Sequence, residues 1–198
     1  MPRITEEHRQ ARRKQILDAA RACLYDHGLE ALSMEMILAR SGLSAGAVYG
    51  YFKGKDEIIN AAVTEGTREL GTHLLPLLTS QEPPSLPELM GRLLDIITDF
   101  GQRMPGLDLL VVVIHGWSHS QSDPELKTFA RAAYQRLRIE FAQTVRRWQA
   151  AGTFDPEMDA DGLAELFTSV CLGFVAQRVL AGDAAVHAHV AALRALAG

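Results

Sequence analysis

In this 198-residue chain the side chains best suited to chemistry fall in one run, Ser44-Ala45-Gly46-Ala47-Val48-Tyr49-Gly50-Tyr51-Phe52-Lys53-Gly54-Lys55-Asp56-Glu57-Ile58. Ser44 is placed to cap a short helix. Free N–H groups at such a terminus, with a hydroxyl beside them, suit phosphate oxygens. Ala45, Gly46 and Ala47 are small enough to let that terminus press toward the floor of a major groove. Tyr49 and Tyr51 offer hydroxyls at the far end, and Lys53 and Lys55 add positive charge where a nucleic-acid backbone would pass. Val48 and Phe52, four apart, point inward and hold the helix to its neighbours. The chemistry implied is non-covalent grip on a duplex. No nucleophile–base pair, paired carboxylates, phosphate loop or metal cluster stands out, so catalytic residues, cofactors and an enzymatic role are not expected. His115 and His119 sit at i, i+4, but no third ligand is evident and no metal is expected.

Charge is distributed to match. The net charge of −4 splits into +3 over residues 1–55, with nine basic and six acidic side chains, and −7 over the remainder. A phosphate-facing head on an acidic body follows from that asymmetry.

These residues need helices to position them. The composition, 47% hydrophobic with eight prolines and few aromatics, favours an all-α chain. A first helix is expected from Glu6 to His27, capped by Thr5, with Ile16, Leu17, Ala20, Cys23 and Leu24 as its apolar stripe and Gly28 after its last turn. Ser33 opens a second helix, Met34 to Arg40, with Ile37 and either Met34 or Leu38 inward, and Gly42 ends it. A third runs from Ala45 to about Tyr51. Helix, glycine turn and helix make a helix-turn-helix plan. Gly54 then opens a long fourth helix reaching Pro76 or beyond. The stretch Ser80 to Ser85 is the clearest linker, and further helices are expected at about 85–103, 106–119, 124–151, 160–181 and 183–197. The breaks fall at Met104-Pro105-Gly106, Ser120 to Pro124, Gly152 to Pro156 and Gly182-Asp183. About nine helices result, divided into a DNA-binding head over residues 1–54 and a larger body over 55–198.

The ordered set of features resembles the tetracycline-repressor (TetR) family over about residues 10–60. It comprises the helix from Ile16 to Gly28, Ser33 opening the second helix, and the turn Ser41-Gly42-Leu43-Ser44. The aromatic block Tyr49-Gly50-Tyr51-Phe52 and the entry Lys55-Asp56-Glu57 complete it. The resemblance implies that Ser33, Ser44, Tyr49, Tyr51 and Lys55 touch phosphates, and that Ala45, Gly46, Ala47 and Lys53 lie at or near base edges or flanking phosphates. Two positions depart from the family pattern. Gly50 replaces a histidine or tyrosine, which softens the recognition helix by roughly 1 kcal/mol. Glu35 stands where a basic or small polar residue is usual, so it pairs with an Arg or faces solvent. With few long side chains available, base readout falls partly to the thymine methyl and to DNA shape.

The resemblance further implies a body that binds a small molecule and dimerises through its last two long helices. Leu163 to Val179 is apolar around much of its circumference, as a helix buried against its own body and a partner would be, and residues 183–197 are rich in alanine. Candidates to line an amphipathic ligand pocket are Phe100, His115, Trp117, His119, Tyr134, Arg138, Phe167, Cys171, Phe174 and Gln177, with Trp148 beside them. Cys23 and Cys171 read as small buried residues rather than a disulfide or redox sensor. The N-terminus lacks a signal peptide's apolar run, and no apolar stretch reaches the roughly 18 residues of a membrane helix. The expectation is a cytoplasmic, dimeric, ligand-responsive repressor of a near-palindromic operator. Two other readings stand beside it: a helical ligand carrier or enzyme without DNA binding, and a DNA-binding co-regulator governed by a protein partner.

Overall fold

The computed structural model describes residues 5–104, 108–182 and 185–197. Among them are nine helices and no strand: α1 (Glu6–Ala31), α2 (Met34–Ser41), α3 (Ala45–Tyr49), α4 (Lys55–Leu78), α5 (Leu86–Gly101), α6 (Leu109–His119), α7 (Pro124–Ala150), α8 (Ala160–Ala181) and α9 (Val186–Ala197). Pro105, Gly106 and Asp183 of the expected breaks, and the proposed helix starts at 106 and 183, lie outside the described residues.

Local chemistry explains the head. The Thr5 hydroxyl accepts from the His8 N–H, and Glu6 and Glu7 sit in the first turn of α1. Gly28 takes φ 75°, a conformation open to glycine without strain, so the long regular stretch ends at His27 and a kinked turn carries the chain to Leu32. The Ser33 hydroxyl caps α2 by accepting from Met36 N–H at 3.3 Å, and Gly42 ends it at φ 66° with its N–H bonded to Leu38 O. α3 stops at Tyr49, two residues before the expected end. Gly50 keeps helical angles and its N–H still reaches Gly46 O at 3.2 Å, so the turn continues but the repeating pattern does not.

Two apolar cores organise the chain. The first gathers Ile16, Leu17, Ala20 and Leu24 of α1, Ile37, Val48 and Phe52, and Ile58, Ile59, Ala62 and Val63 of α4, together with Val112 of α6 and Leu126 of α7. The second fills the body between α4, α5, α6, α7 and α8, around Leu89, Leu94, Phe100, Leu110, Phe141 and Phe174. α4 belongs to both. Its head end is held by Arg21, which reaches Ala62 O at 3.3 Å, and by an Arg13–Glu65 ion pair, with the Arg13 guanidinium also over the Phe52 ring. Its far end is held by α7: Thr144 donates to Leu78 O at 3.0 Å, and Arg147 donates to the same carbonyl. Gly66 and Gly71 lie between these anchors.

The stretch Ser80 to Ser85 is the connection from α4 to α5, and the Trp148 indole N–H pins it by donating to Pro84 O at 3.0 Å. α7 and α8 pack closely through Phe141, Trp148 and Phe167, whose rings meet edge to face. α9 lies against α5 and touches α8 where His189 meets the Phe174 ring edge-on. α8 has a mean hydropathy of 1.4 over 18 residues, long and apolar enough by composition to cross a membrane, and its inner face, Ala164, Phe167, Cys171, Phe174 and Val175, packs into the body core. Its outward face keeps Leu166 at 57% exposure and Leu180 at 86%.

Candidate functional site

The head presents one continuous face of exposed small and polar residues. Ser44, Ala45, Gly46, Ala47, Tyr49, Gly50 and Lys53 are all exposed, while Val48 and Phe52 between them are buried in the head core. The Ser44 hydroxyl accepts from Ala47 N–H at 3.3 Å, so its own proton stays available to donate. Ser33 is in the same position at the start of α2. Tyr49 projects with 53% of its surface exposed, whereas Tyr51 is half-buried against the head core. Lys53 extends outward, its backbone N–H held by Glu57 Oε2 at 2.6 Å. Lys55 differs: its Nζ donates to Leu32 O at 3.0 Å, tying the start of α4 to the end of the α1 segment. Glu35 is exposed and has no ion-pair partner among the described residues, so of its two expected fates it faces solvent.

Several head cations are committed to internal pairs: Arg13 to Glu65, Arg40 to Asp26, Lys14 to Asp18 and Arg21 to Asp18. The positive charge left facing outward beside α3 therefore comes chiefly from Lys53.

The body holds a cavity of about 440 Å³, within the roughly 300–1,000 Å³ of small-molecule sites. Its walls come from α4, α5, α6, α7 and α8 and are almost wholly apolar. Space remains because Gly71 of α4 and Ala130, Ala132 and Ala133 of α7 cannot fill it. Three expected residues meet there: Trp117, Tyr134 and Cys171. The other seven do not line it. Phe100 is buried in the body core under Arg103, Phe167 packs against Phe141 and Trp148, and Phe174 against His189. Arg138 faces Asp161 at 3.8 Å, and Gln177 is exposed on α8. His115 sits over Gly28, and His119 ends α6 near Asp123. Trp148 is likewise a core residue. Sequence reasoning missed Val63, Thr67, Arg68, Gly71, Phe129 and Leu137 on the wall. The available signal was the spacing of Phe129, Ala133, Tyr134 and Leu137, an apolar face of α7 interrupted by alanine.

Two wall residues, Val63 and Leu126, are also members of the head core. Gly116, on the wall as well, lies directly under Val63. Near the same joint the Asn60 amide donates to Asp123 Oδ2 at 2.8 Å, while Asp123 Oδ1 caps α7 through Leu126 N–H at 2.7 Å. These bonds, the Asn60 one foremost, hold the Asp123 carboxyl below its ordinary value. Burial pushes the Cys171 thiol up to about 12, and raises Cys23 as well, despite Arg40 nearby. Among the described residues no group of three metal-ligating side chains occurs.

A small helix-turn-helix head joined to a hollow helical body is the plan of a DNA-binding regulator. Residues 16–62 match the bacterial regulatory proteins of the tetR family, and residues 91–197 match the C-terminal domain of BetI-type transcriptional repressors. The chain belongs to the TetR family of transcriptional repressors. A Mycobacterium tuberculosis HTH-type transcriptional repressor is 36% identical over 70 residues, 35% of this chain and 37% of that one. The HTH-type transcriptional regulator BetI of Cronobacter sakazakii is 28% identical over 81% of this chain and 78% of its own. A transcriptional regulator from Saccharomonospora viridis, solved in complex with choline, shares the fold with a TM-score of 0.74, at 24% identity over 93% of this chain and 94% of that one.

Proposed function

We propose that this repressor grips a near-palindromic operator as a homodimer, in the cytoplasm, and releases it when a small molecule enters the body cavity. In this reading residues 1–54 bind DNA and residues 55–198 bind the effector and the partner subunit. Ser33, Ser44, Tyr49, Tyr51 and Lys55 approach phosphates, and Ala45, Gly46, Ala47 and Lys53 approach base edges or the flanking backbone.

The observation that carries it is the sharing of Val63 and Leu126 between the cavity wall and the head core. A ligand that displaces either residue disturbs the packing that orients the recognition helix. Its effect on DNA affinity equals its difference in affinity between the two head arrangements. An effector is supported over a protein partner because the body is hollow rather than filled. The Saccharomonospora viridis regulator, holding choline, supports a small molecule in that role.

Dimerisation is supported by the outer face of α8, where Leu166 and Leu180 stand exposed beside Ser169 and Gly173, and by the exposed alanines of α9. A twofold pair would set its recognition helices about 34–36 Å apart, one helical turn of DNA. The test is footprinting of genomic fragments selected by the purified protein. Paired protected half-sites one turn apart support the reading; unselective binding, or protection of a single half-site by a monomer, refutes it.

A further inference from the structure

The chemical class of the effector is written in the charge of the cavity, and this step rests on the effector-site reading above. The wall contains two charged side chains, Arg68 and Arg136, and among the described residues no Asp or Glu faces it. The exposed wall residues, Arg68, Thr72, Ala132 and Arg136, come from α4 and α7, so the opening lies between those helices.

The two guanidiniums differ in what they already hold. Arg136 is neutralised by Glu140, with Nε 2.8 Å from its Oε1. Arg68 has no carboxylate partner among the described residues. The acids nearest to it on α4 are committed elsewhere, Glu65 to Arg13 and Glu69 to Arg103 at 2.7 Å. Glu165 of α8, which is not on the wall, accepts from the Tyr134 hydroxyl at 3.3 Å. The Arg68 guanidinium instead lies over the Phe129 ring, 5.3 Å from its centroid. It is thus positioned on an aromatic platform at the mouth of an apolar hole, with its hydrogen-bonding edge uncommitted.

We infer that the effector is an anionic amphiphile, an apolar chain or ring system bearing a carboxylate that Arg68 receives at the mouth. A quaternary ammonium meets the opposite of what it needs here. No carboxylate balances its charge, and the Phe129 face that would receive it is already covered by a cation. A neutral body of the same size gains the apolar burial but not the ion pair.

Isothermal titration with decanoate and decyltrimethylammonium below their micellar concentrations, and with decanol below its solubility limit, decides the matter. Charge-assisted bonds to Arg68 should make decanoate bind at least about tenfold tighter than either analogue. Arg68→Ala should abolish that preference, the loss falling mainly on decanoate, and Arg68→Glu should reverse it toward the ammonium. Ala133→Trp, which fills the cavity, should weaken all three ligands. If the ammonium binds wild type as tightly as decanoate, or Arg68→Ala keeps the preference, the head-group inference is overturned while the cavity remains the effector site. If none of the three binds, or Ala133→Trp binds them unchanged, the effector-site reading falls with it.

Discussion

Gly116 of α6 lies so close beneath Val63 of α4 that a Cβ at position 116 would fall 2.5 Å from the valine Cγ1. The contact joins the cavity to the head core and exists only because residue 116 lacks a side chain. Gly116→Ala must therefore push α6 away from α4. Overpacking of this kind should cost about 1–3 kcal/mol in thermal unfolding, and the displaced α4 should weaken operator binding in fluorescence anisotropy. Val63→Ala in the same chain should recover part of both losses. Additive effects of the two changes would show that the contact is not what couples them.

The exposed face of α3 predicts a different pattern, in which DNA affinity changes and folding does not. Tyr49→Phe removes one exposed hydroxyl and should cost about 0.5–1.5 kcal/mol of operator affinity. Lys53→Ala should weaken all sequences alike and reduce the slope of log affinity against log salt by about 1. Melting temperatures within a degree or two of wild type are expected, because neither side chain packs in the head core. An unchanged salt slope for Lys53→Ala would remove it from the backbone contacts.

Asp123 makes the protein's stability depend on acid. Its folded carboxyl is held below the ordinary value by Asn60 and by the α7 N-terminus. A depressed folded pKa contributes stability that is complete above the unfolded value and disappears as pH falls through the folded one. Asn60→Ala should therefore be less stable than wild type at about pH 6, and the gap should narrow progressively as pH falls below the ordinary carboxylate value. Urea melts at a series of decreasing pH values measure it; a gap that stays constant throughout would mean that the bond does not act through the Asp123 proton.

A repressor that pairs through α8 should be sensitive to charge there. Leu166→Arg combined with Leu180→Arg places two cations on an apolar face and should yield monomers in sedimentation equilibrium, with helical content intact. Operator affinity should then fall toward that of one head, because the second half-site is no longer held. A dimer that survives both changes would put the interface on another face.

The thiols should be inert. With Cys171 pushed up to about 12 by burial, its thiolate fraction near pH 8 is on the order of one in ten thousand. Ellman's reagent should label neither cysteine of the folded protein within minutes and both after denaturation. Fast labelling of one thiol in the native state would reopen a redox role.

The head was legible in the sequence because its signals are local. Thr5, Ser33 and Ser44 cap the helices they precede, and Gly28 and Gly42 take the positive φ that their places after a helix suggested. The end of α3 was misjudged by two residues because Gly50 keeps helical angles without continuing the bond pattern. The cavity was mostly illegible for the opposite reason. A hollow is defined by what is missing where five helices meet, and Gly71, Ala130 and Ala133 carry no mark that distinguishes an unfilled space from a close helix approach. Large aromatics drew attention instead, and Phe100, Phe167 and Phe174 turned out to be occupied with holding the helices together. Lys55 was legible as a cation but not as one whose ammonium closes the α1–α2 junction through Leu32 O.

Gly66 and Gly71 give α4 the mechanics of a beam clamped at both ends and compliant between. An interior glycine softens a helix by roughly 0.5–1 kcal/mol relative to alanine, and a Cβ at Gly71 would touch nothing within 4 Å, so close packing does not require the glycine there. At 1.5 Å of rise per residue, Lys55 stands about 24 Å from Gly71 along the axis, so a bend of about 10° at the glycine swings that end sideways by about 4 Å. That displacement exceeds the length of a hydrogen bond. In the proposed dimer, a small curvature of this helix in each subunit would be enough to take the two heads off the pitch of DNA, with no domain needing to slide or unfold.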